Sequence, residues 1–321
     1  MSIFSISSKI VKYSGDIVNK IDLEKYLQID PEKYSIIIQS FIKKKILDLN
    51  RNGIVIPISG GLDSSVVATL CVKAIGKEKV TGLLLPEKQG NPEAEKYAYH
   101  LATFLGIKTK KIDISQTLKK IGTFNFILSL IPGYNLKKEI VKTFLSSSKE
   151  NLFIKAIRGE ADSLMRKGVA SFYTKQRIRL VVTYKYAEEN NLLVAGSAHK
   201  TEDYIGLYVK FGVDDMADIM PLRRLFRTQI LQIADFLNIP KIITDRKPNP
   251  DLIPGISDKY YDVLGIKYDQ IDMILVCIEQ SLPAEQIVEN TDIPLNEVEK
   301  IIELYRLTDH MRNPSMTPQF D

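Results

Sequence analysis

An apolar run, Ile54 to Ile58, passes through Ser59-Gly60-Gly61-Leu62-Asp63-Ser64-Ser65 and straight into a helix-forming stretch, VVATL. Two adjacent glycines let backbone amides approach an anion without Cβ clashes, and the hydroxyls of Ser59, Ser64 and Ser65 add donors. The N-terminus of the following helix contributes partial positive charge. These are the parts of a phosphate cradle. Asp63 is the odd member, because a carboxylate repels phosphate unless it holds a Mg²⁺ ion that bridges to the phosphate oxygens. The plainer alternative is that Asp63 caps the helix after a glycine turn. The spacing is neither G-x-x-x-x-G-K-S/T nor G-x-G-x-x-G, so ordinary triphosphatase and dinucleotide loops do not describe it.

The elements that must position this loop follow from hydrophobic period. IVIPI at 54–58 suits a strand buried on both faces, and Asp63 to Ile75 reads as a helix. Val80 to Leu84 makes a second strand, followed by a helix carrying Ala94, Tyr97, Leu101 and Phe104 and stopped at Gly106. Lys108 to Ile114 and Leu192 to Ala195 complete four strands separated by helical sequence. This alternation predicts an α/β fold with a doubly wound parallel sheet. Residues 21–50, with Tyr34, Ile37, Ile38, Phe41 and Ile42 at helical spacing, precede it as N-terminal helices. Three segments are expected: a helical 1–50, an α/β domain over 51–260 interrupted by an insertion at 116–172, and a helical 261–321. The insertion either packs around the sheet or acts as a lid or subunit contact. Near the end, LPAEQIVENTDIPLNEVEKIIELY has helix-turn-helix spacing, but the second helix opens with Glu297 and Glu299, which would repel phosphate. Helix packing is the expected role.

Composition excludes whole classes. Of the 321 residues 45% are hydrophobic and 26% charged, which rules out a wholly disordered or fibrous chain. A net charge of +5 is far from a nucleic-acid tail, and no nucleic-acid partner is expected. Only Cys71 and Cys277 are present, both in apolar helical contexts, so neither a disulfide framework nor a persulfide chemistry is indicated. The start lacks a secretory h-region and no stretch reaches the roughly 18 to 20 apolar residues of a membrane span, so a cytoplasmic location is expected.

SGGLDS resembles the S-G-G-x-D-S loop of the N-type ATP pyrophosphatases, which cleave ATP between the α and β phosphates. The stretch 192–240 narrows the likeness and is similar to the NAD synthetases. Their G-T-x-N-x-S-E, T-K-Y-G-D and D-x-x-P-I/L motifs are matched here by Gly196, Ser197, Glu202, Lys210, Phe211, Gly212, Asp218, Pro221 and Leu222. KPNPDL at 247–252 resembles the family's P-S/T-A-D-L, with Asn249 at the hydroxyl position. LGIKYDQID at 264–272 and the closing TDHMRNPSMTPQFD resemble its later motifs. The family's Q-x-D-E is represented by Ile256-Ser257-Asp258-Lys259.

The resemblance implies an ATP-dependent, amide-forming ligase that adenylates a carboxylate, most simply that of deamido-NAD, and lets ammonia displace AMP. Ser59, Gly60, Gly61, Asp63, Ser64, Ser65, Ser197, Lys210 and Asn249 are then expected at ATP, with Asp63 and Lys210 acting in catalysis. Asp63 and Glu202, both just beyond carboxyl ends of parallel strands, are expected to share one Mg²⁺. Lys175, Arg177 and Arg179 resemble the family's basic stretch before the helix that leads into the fourth strand, and are expected to receive the second substrate. His100 and His199, without a ligand partner four residues on, read as structural. No glutaminase portion with a nucleophilic cysteine can be read, so free ammonia or a separate glutaminase is expected as nitrogen source. The family habit implies a homodimer. The rivals are a related amidotransferase with a different carboxylate substrate, and a tRNA-modifying ATP pyrophosphatase.

Overall fold

A computed structural model describes residues 21–125, 131, 134–147, 151–249, 255–313 and 317–318. The N-terminal helices α1 (Leu23–Leu27) and α2 (Pro31–Asp48) begin on aspartates: Asp22 accepts from Lys25 N and Asp30 from Lys33 N, and Pro31 sits in the first turn of α2. Strand β1 (Gly53–Pro57) leads into α3 (Leu62–Ile75), β2 (Val80–Leu84) into α4 (Ala94–Leu105), and β3 (Lys108–Lys111) into α5 (Ser115–Lys120). Helices α6 (Tyr134–Ser147), α7 (Leu152–Ile157) and α8 (Ser163–Glu189) fill the interval before β4 (Leu192–Val194). Then follow α9 (Lys200–Ile205), α10 (Arg227–Phe236), α11 (Lys241–Thr244), α12 (Tyr261–Leu264), α13 (Tyr268–Glu279), α14 (Ala284–Thr291), α15 (Leu295–Leu307) and α16 (Asp309–Arg312).

All strand pairs are parallel, in the order β3-β2-β1-β4, with Ile54 opposite both Val80 and Leu193. The chain therefore winds one way from β1 to β2 and β3, and the other way to β4. That reversal opens a crevice beyond the carboxyl ends of β1 and β4. Alternation along the strands feeds two cores. Ile54, Ile56 and Leu193 pack with α2, α3 and α10, while Val55, Leu83 and Val194 pack on the opposite face with Leu118 of α5 and Ala187 of α8. Helix α3 is buried nearly all round, from Val66 to Cys71, because it is wedged between the sheet and α2. The sheet is thus doubly wound, as its sequence predicts.

Two boundaries differ from the sequence reading by more than one residue. The third strand ends at Lys111, not Ile114, because beyond that point its partner β2 has ended; Ile112 N and Ile114 N still donate to Leu84 and Pro86 carbonyls at 2.9 and 3.1 Å. Helix α8 starts at Ser163, capped by Asp162 accepting from Met165 N at 2.8 Å, so the basic stretch 175–179 lies in mid-helix. Part of the apolar IGTFNFILSLIPGY stretch falls outside the described residues, as do 148–150 and 250–254. The helix pair α14–α15 buries Ile287, Val298, Ile301 and Leu304 against α13, a packing role. Among the described residues no helix is long and apolar enough to cross a membrane.

Candidate active site

A cleft of about 1160 Å³ opens at the crevice, lined by the loop after β1, the segment after β4, the inward face of α8 and the 246–249 segment. Gly60, buried beneath the loop, seats it. That residue adopts φ +72°, and a Cβ there would lie 2.3 Å from Tyr97 Cβ and 2.7 Å from Ala98 N. The loop therefore rests directly on α4. At Gly61 a Cβ would meet only Ser59 Oγ, at 3.3 Å, and otherwise point into open space. Helix α3 begins there without a side-chain cap, and its first turn, Leu62 to Ser64, lines the cleft. Ser59 and Ser64 line the cleft with their hydroxyls 3.4 Å apart, whereas Ser65 is fully buried and its hydroxyl donates to Gly61 O at 2.7 Å. Ser65 thus serves the helix end.

Two carboxylates stand beside this loop. Asp63 and Glu202 face one another with His199 between them, ligand-capable atoms of all three lying within 4.8 Å of one another. His199 Nε2 is 3.8 Å from Asp63 and 3.6 Å from Glu202. Its Nδ1 is buried with no hydrogen-bond partner among the described residues. Burial holds the imidazole pKa below its usual value against the pull of Glu202 and Asp63, so the ring is neutral and offers a lone pair. Arg227 Nη1 donates to Asp63 Oδ1 and Oδ2 at 3.1 and 3.3 Å, and Lys259 Nζ donates to Glu202 while standing 4.0 Å from Asp63 Oδ2. Burial alone would raise the Asp63 pKa, but the cations beside it, Arg227 foremost and Lys259 with it, outweigh burial and keep the carboxylate ionised.

The placement of this cluster is fixed from behind. Asp272 of α13 is fully buried, accepts from Thr201 Oγ1 at 2.6 Å and from Thr228 N at 2.9 Å, and Arg227 N donates to Thr201 Oγ1 at 2.9 Å. One carboxylate thereby ties the start of α9, which carries Glu202, to the start of α10, which carries Arg227. Gly196 permits the close approach in front of it: a Cβ there would sit 2.3 Å from Met220 Sδ.

The far wall of the cleft is cationic. Lys175 and Arg179, one turn apart on α8, face inward, and Lys175 Nζ pairs with the buried Glu87 at 2.6 Å. Arg179 Nη1 is buried without a hydrogen-bond partner among the described residues. Burial lowers the Arg179 pKa, with Glu87 and Asp214 opposing. Gln176 donates to Asp214, whose carboxyl is pushed up to about 6 by burial and by Glu202.

Of the residues the sequence singles out, Ser59, Gly61, Asp63, Ser64, Lys175, Arg179, Ser197, Glu202 and Asn249 line one cleft. Gly60, Ser65, Arg177 and Lys210 do not, the first two being buried under the loop. Arg177 is exposed on the other side of α8, donating to the Lys210 carbonyl at 3.2 Å, and the Lys210 ammonium donates to the His310 carbonyl. His199, read as structural from sequence, faces the carboxylate pair; the available signal was its spacing of three, not four, from Glu202. Arg227, Glu87 and Asp214 carry no local motif, and Lys259, at the last position of the Q-x-D-E match, gives no sequence sign of its carboxylate partners; all four find their places only in the folded chain.

The family model described as NAD synthase matches residues 35–139 and 135–315. The NH(3)-dependent NAD(+) synthetase of Methanocaldococcus jannaschii is 36% identical over 282 residues, 88% of this chain and 95% of that protein. That of Thermotoga maritima is 35% identical over 267 residues, 83% and 92% of the two chains. Among solved structures, an NMN synthetase from Francisella tularensis superposes with a TM-score of 0.67 at 25% identity, covering 91% of this chain and all of that one. An NH3-dependent NAD synthetase from Campylobacter jejuni shares the fold, with a TM-score of 0.63 at 21% identity, covering 92% of this chain and 100% of that chain. Over a length that includes the glycine loop, the carboxylate pair and the cationic wall, the chain belongs to the NAD synthase family.

Proposed function

We propose that this protein is an ammonia-dependent NAD synthetase, which adenylates the carboxylate of deamido-NAD with ATP and forms the amide with release of AMP and pyrophosphate. One observation carries the reading. The glycine loop at the head of α3, the Asp63–Glu202 pair and the Lys175–Arg179 wall share a single cleft, in a chain about 35% identical to relatives named for that activity.

The residues divide the work by charge. The amides at the start of α3, Gly61 and the hydroxyls of Ser59 and Ser64 would cradle the departing pyrophosphate. Asp63 and Glu202 present hard oxygen donors at a spacing that fits a Mg²⁺ ion, with the neutral His199 beside them. Bound there, the ion would neutralise phosphate charge as pyrophosphate leaves. Lys175 and Arg179 would hold the anionic second substrate, and Ser197 and Asn249 would contact the nucleotide. Asp214, which lines the cleft, would hold an incoming ammonium ion by charge and hydrogen bonding. Catalysis is then positioning plus electrostatics, with no covalent enzyme intermediate. The reading includes a cytoplasmic homodimer fed by free ammonia or by a separate glutaminase, and the three-segment layout 1–50, 51–260 and 261–321. A monomeric mass by light scattering would refute the dimer.

The 25% identity to an NMN synthetase across that protein's full length favours one alternative, in which the carboxylate belongs to the acid form of NMN. Purified protein incubated with ATP, Mg²⁺ and ammonium should convert deamido-NAD to NAD with equimolar AMP and pyrophosphate. Turnover of the mononucleotide acid in preference to deamido-NAD would establish the alternative, and AMP formation with neither would overturn both.

A further inference from the structure

Asp63 and Glu202 are already matched by two cations. Arg227 is buried and holds Asp63 from the start of α10, and Lys259 spans the gap between Glu202 and Asp63 from the 255–260 turn. The Lys259 ammonium thus lies against the same oxygens a divalent ion would use. Its backbone is not free to drift. Lys259 N donates to Pro248 O at 2.8 Å, and Asp262 accepts from Ser257 N, Ser257 Oγ and Asp258 N at 2.7 to 2.9 Å, clamping the turn that carries it. Asp258 in turn accepts from Tyr260 N and Tyr261 N at 3.0 and 3.1 Å. Only the side chain can swing, and it has four carbons with which to do so.

We propose that Lys259 is a tethered competitor for the divalent cation: its ammonium fills the place between Glu202 and Asp63 when no nucleotide is bound, and leaves it when metal and ATP enter together. The inference rests on the metal site proposed above. With Lys259 in place, the acidic pair has no net charge left to attract a lone metal ion, so binding of the ion depends on the charge of the nucleotide. The incoming phosphates supply that charge and offer the displaced ammonium a new partner, so the exchange is one cation for another with no charge left unpaired in the cleft. The chain thereby loads metal and nucleotide as a unit.

The test is Mn²⁺ binding by equilibrium dialysis on the full chain, with and without an ATP analogue carrying a methylene bridge between the α and β phosphates. Wild type should bind Mn²⁺ weakly alone and well with the analogue. Lys259→Gln should bind Mn²⁺ without nucleotide about tenfold more tightly or better, and Lys259→Arg, which keeps the charge, should stay within about twofold of wild type. Lys259→Met serves if the Gln variant melts early. Equal nucleotide-free affinity in wild type and Lys259→Gln overturns the competitor role. Glu202→Gln separates the two readings: if it retains Mn²⁺ with the analogue, the metal site itself is misplaced and the inference falls with it. If it loses that binding while Lys259→Gln is unchanged, only the role of Lys259 fails.

Discussion

Gly60 and Gly61 are neighbours with different tasks. Gly60 combines a left-handed backbone with a 2.3 Å approach to Tyr97, so any side chain there strains the backbone by about 1–2 kcal/mol and also displaces α4. Gly61 leaves room for a methyl group in the native fold but lines the cleft, where the proposed function brings a phosphate close. Gly60→Ala should therefore lower both the melting temperature and the affinity for ATP. Gly61→Ala should melt like wild type yet raise the KM for ATP about tenfold or more, by separating the loop amides from their anion. Thermal melts read beside ATP titrations check the split; unchanged ATP affinity in Gly61→Ala would remove the loop from the nucleotide site. The pair could be seen in the sequence, but their division of labour could not, since it depends on what lies behind each Cα.

At the scale of an element, α8 shows how a helix sorts a motif. Lys175, Arg177 and Arg179 look like one basic cluster in the sequence, and the 3.6-residue turn divides them. Lys175 and Arg179 enter the cleft, and Arg177 projects outward to the Lys210 carbonyl. Arg179→Ala should raise the KM for the carboxylate substrate by about tenfold or more while leaving that for ATP nearly unchanged, because one charge-assisted contact is lost. Arg177→Ala should change either by less than about twofold, as expected of an exposed group. Equal effects of the two variants would contradict this division. The strand-loop-helix order was legible from period alone, because IVIPI and VVATL carry it locally. The start of α8 was not, because its cap, Asp162, lies in an insertion with no strong period.

Across the whole molecule, Asp272 joins the carboxy-terminal helices to the catalytic face. Burial pushes its carboxyl up to about 6, only partly offset by the bonds from Thr201 and Thr228. The folded state therefore binds this proton more tightly than the unfolded chain, and stability present below pH 4 is lost as pH rises through 6. An asparagine has no such proton to lose. The stability difference between wild type and Asp272→Asn should shift in favour of the variant between pH 4 and pH 7, by up to about 3 kcal/mol. Urea denaturation at the two pH values measures it, and a difference independent of pH would show that Asp272 ionises without cost.

By itself the sequence determined the glycine loop after the first strand and the parallel sheet, and through its family resemblance it singled out both carboxylates, Asp63 and Glu202. Each of these is encoded within a short stretch of neighbouring residues, as a glycine doublet, a buried apolar run or a family motif. Only the tertiary structure decided that Arg227 and Lys259 balance those carboxylates, that Glu87 neutralises Lys175, and that Lys210 turns away to the His310 carbonyl. Those are pairings between residues remote in the chain. Which charge meets which is settled by the packing of α8, α10 and the 255–260 turn around one cleft, and no local pattern encodes it.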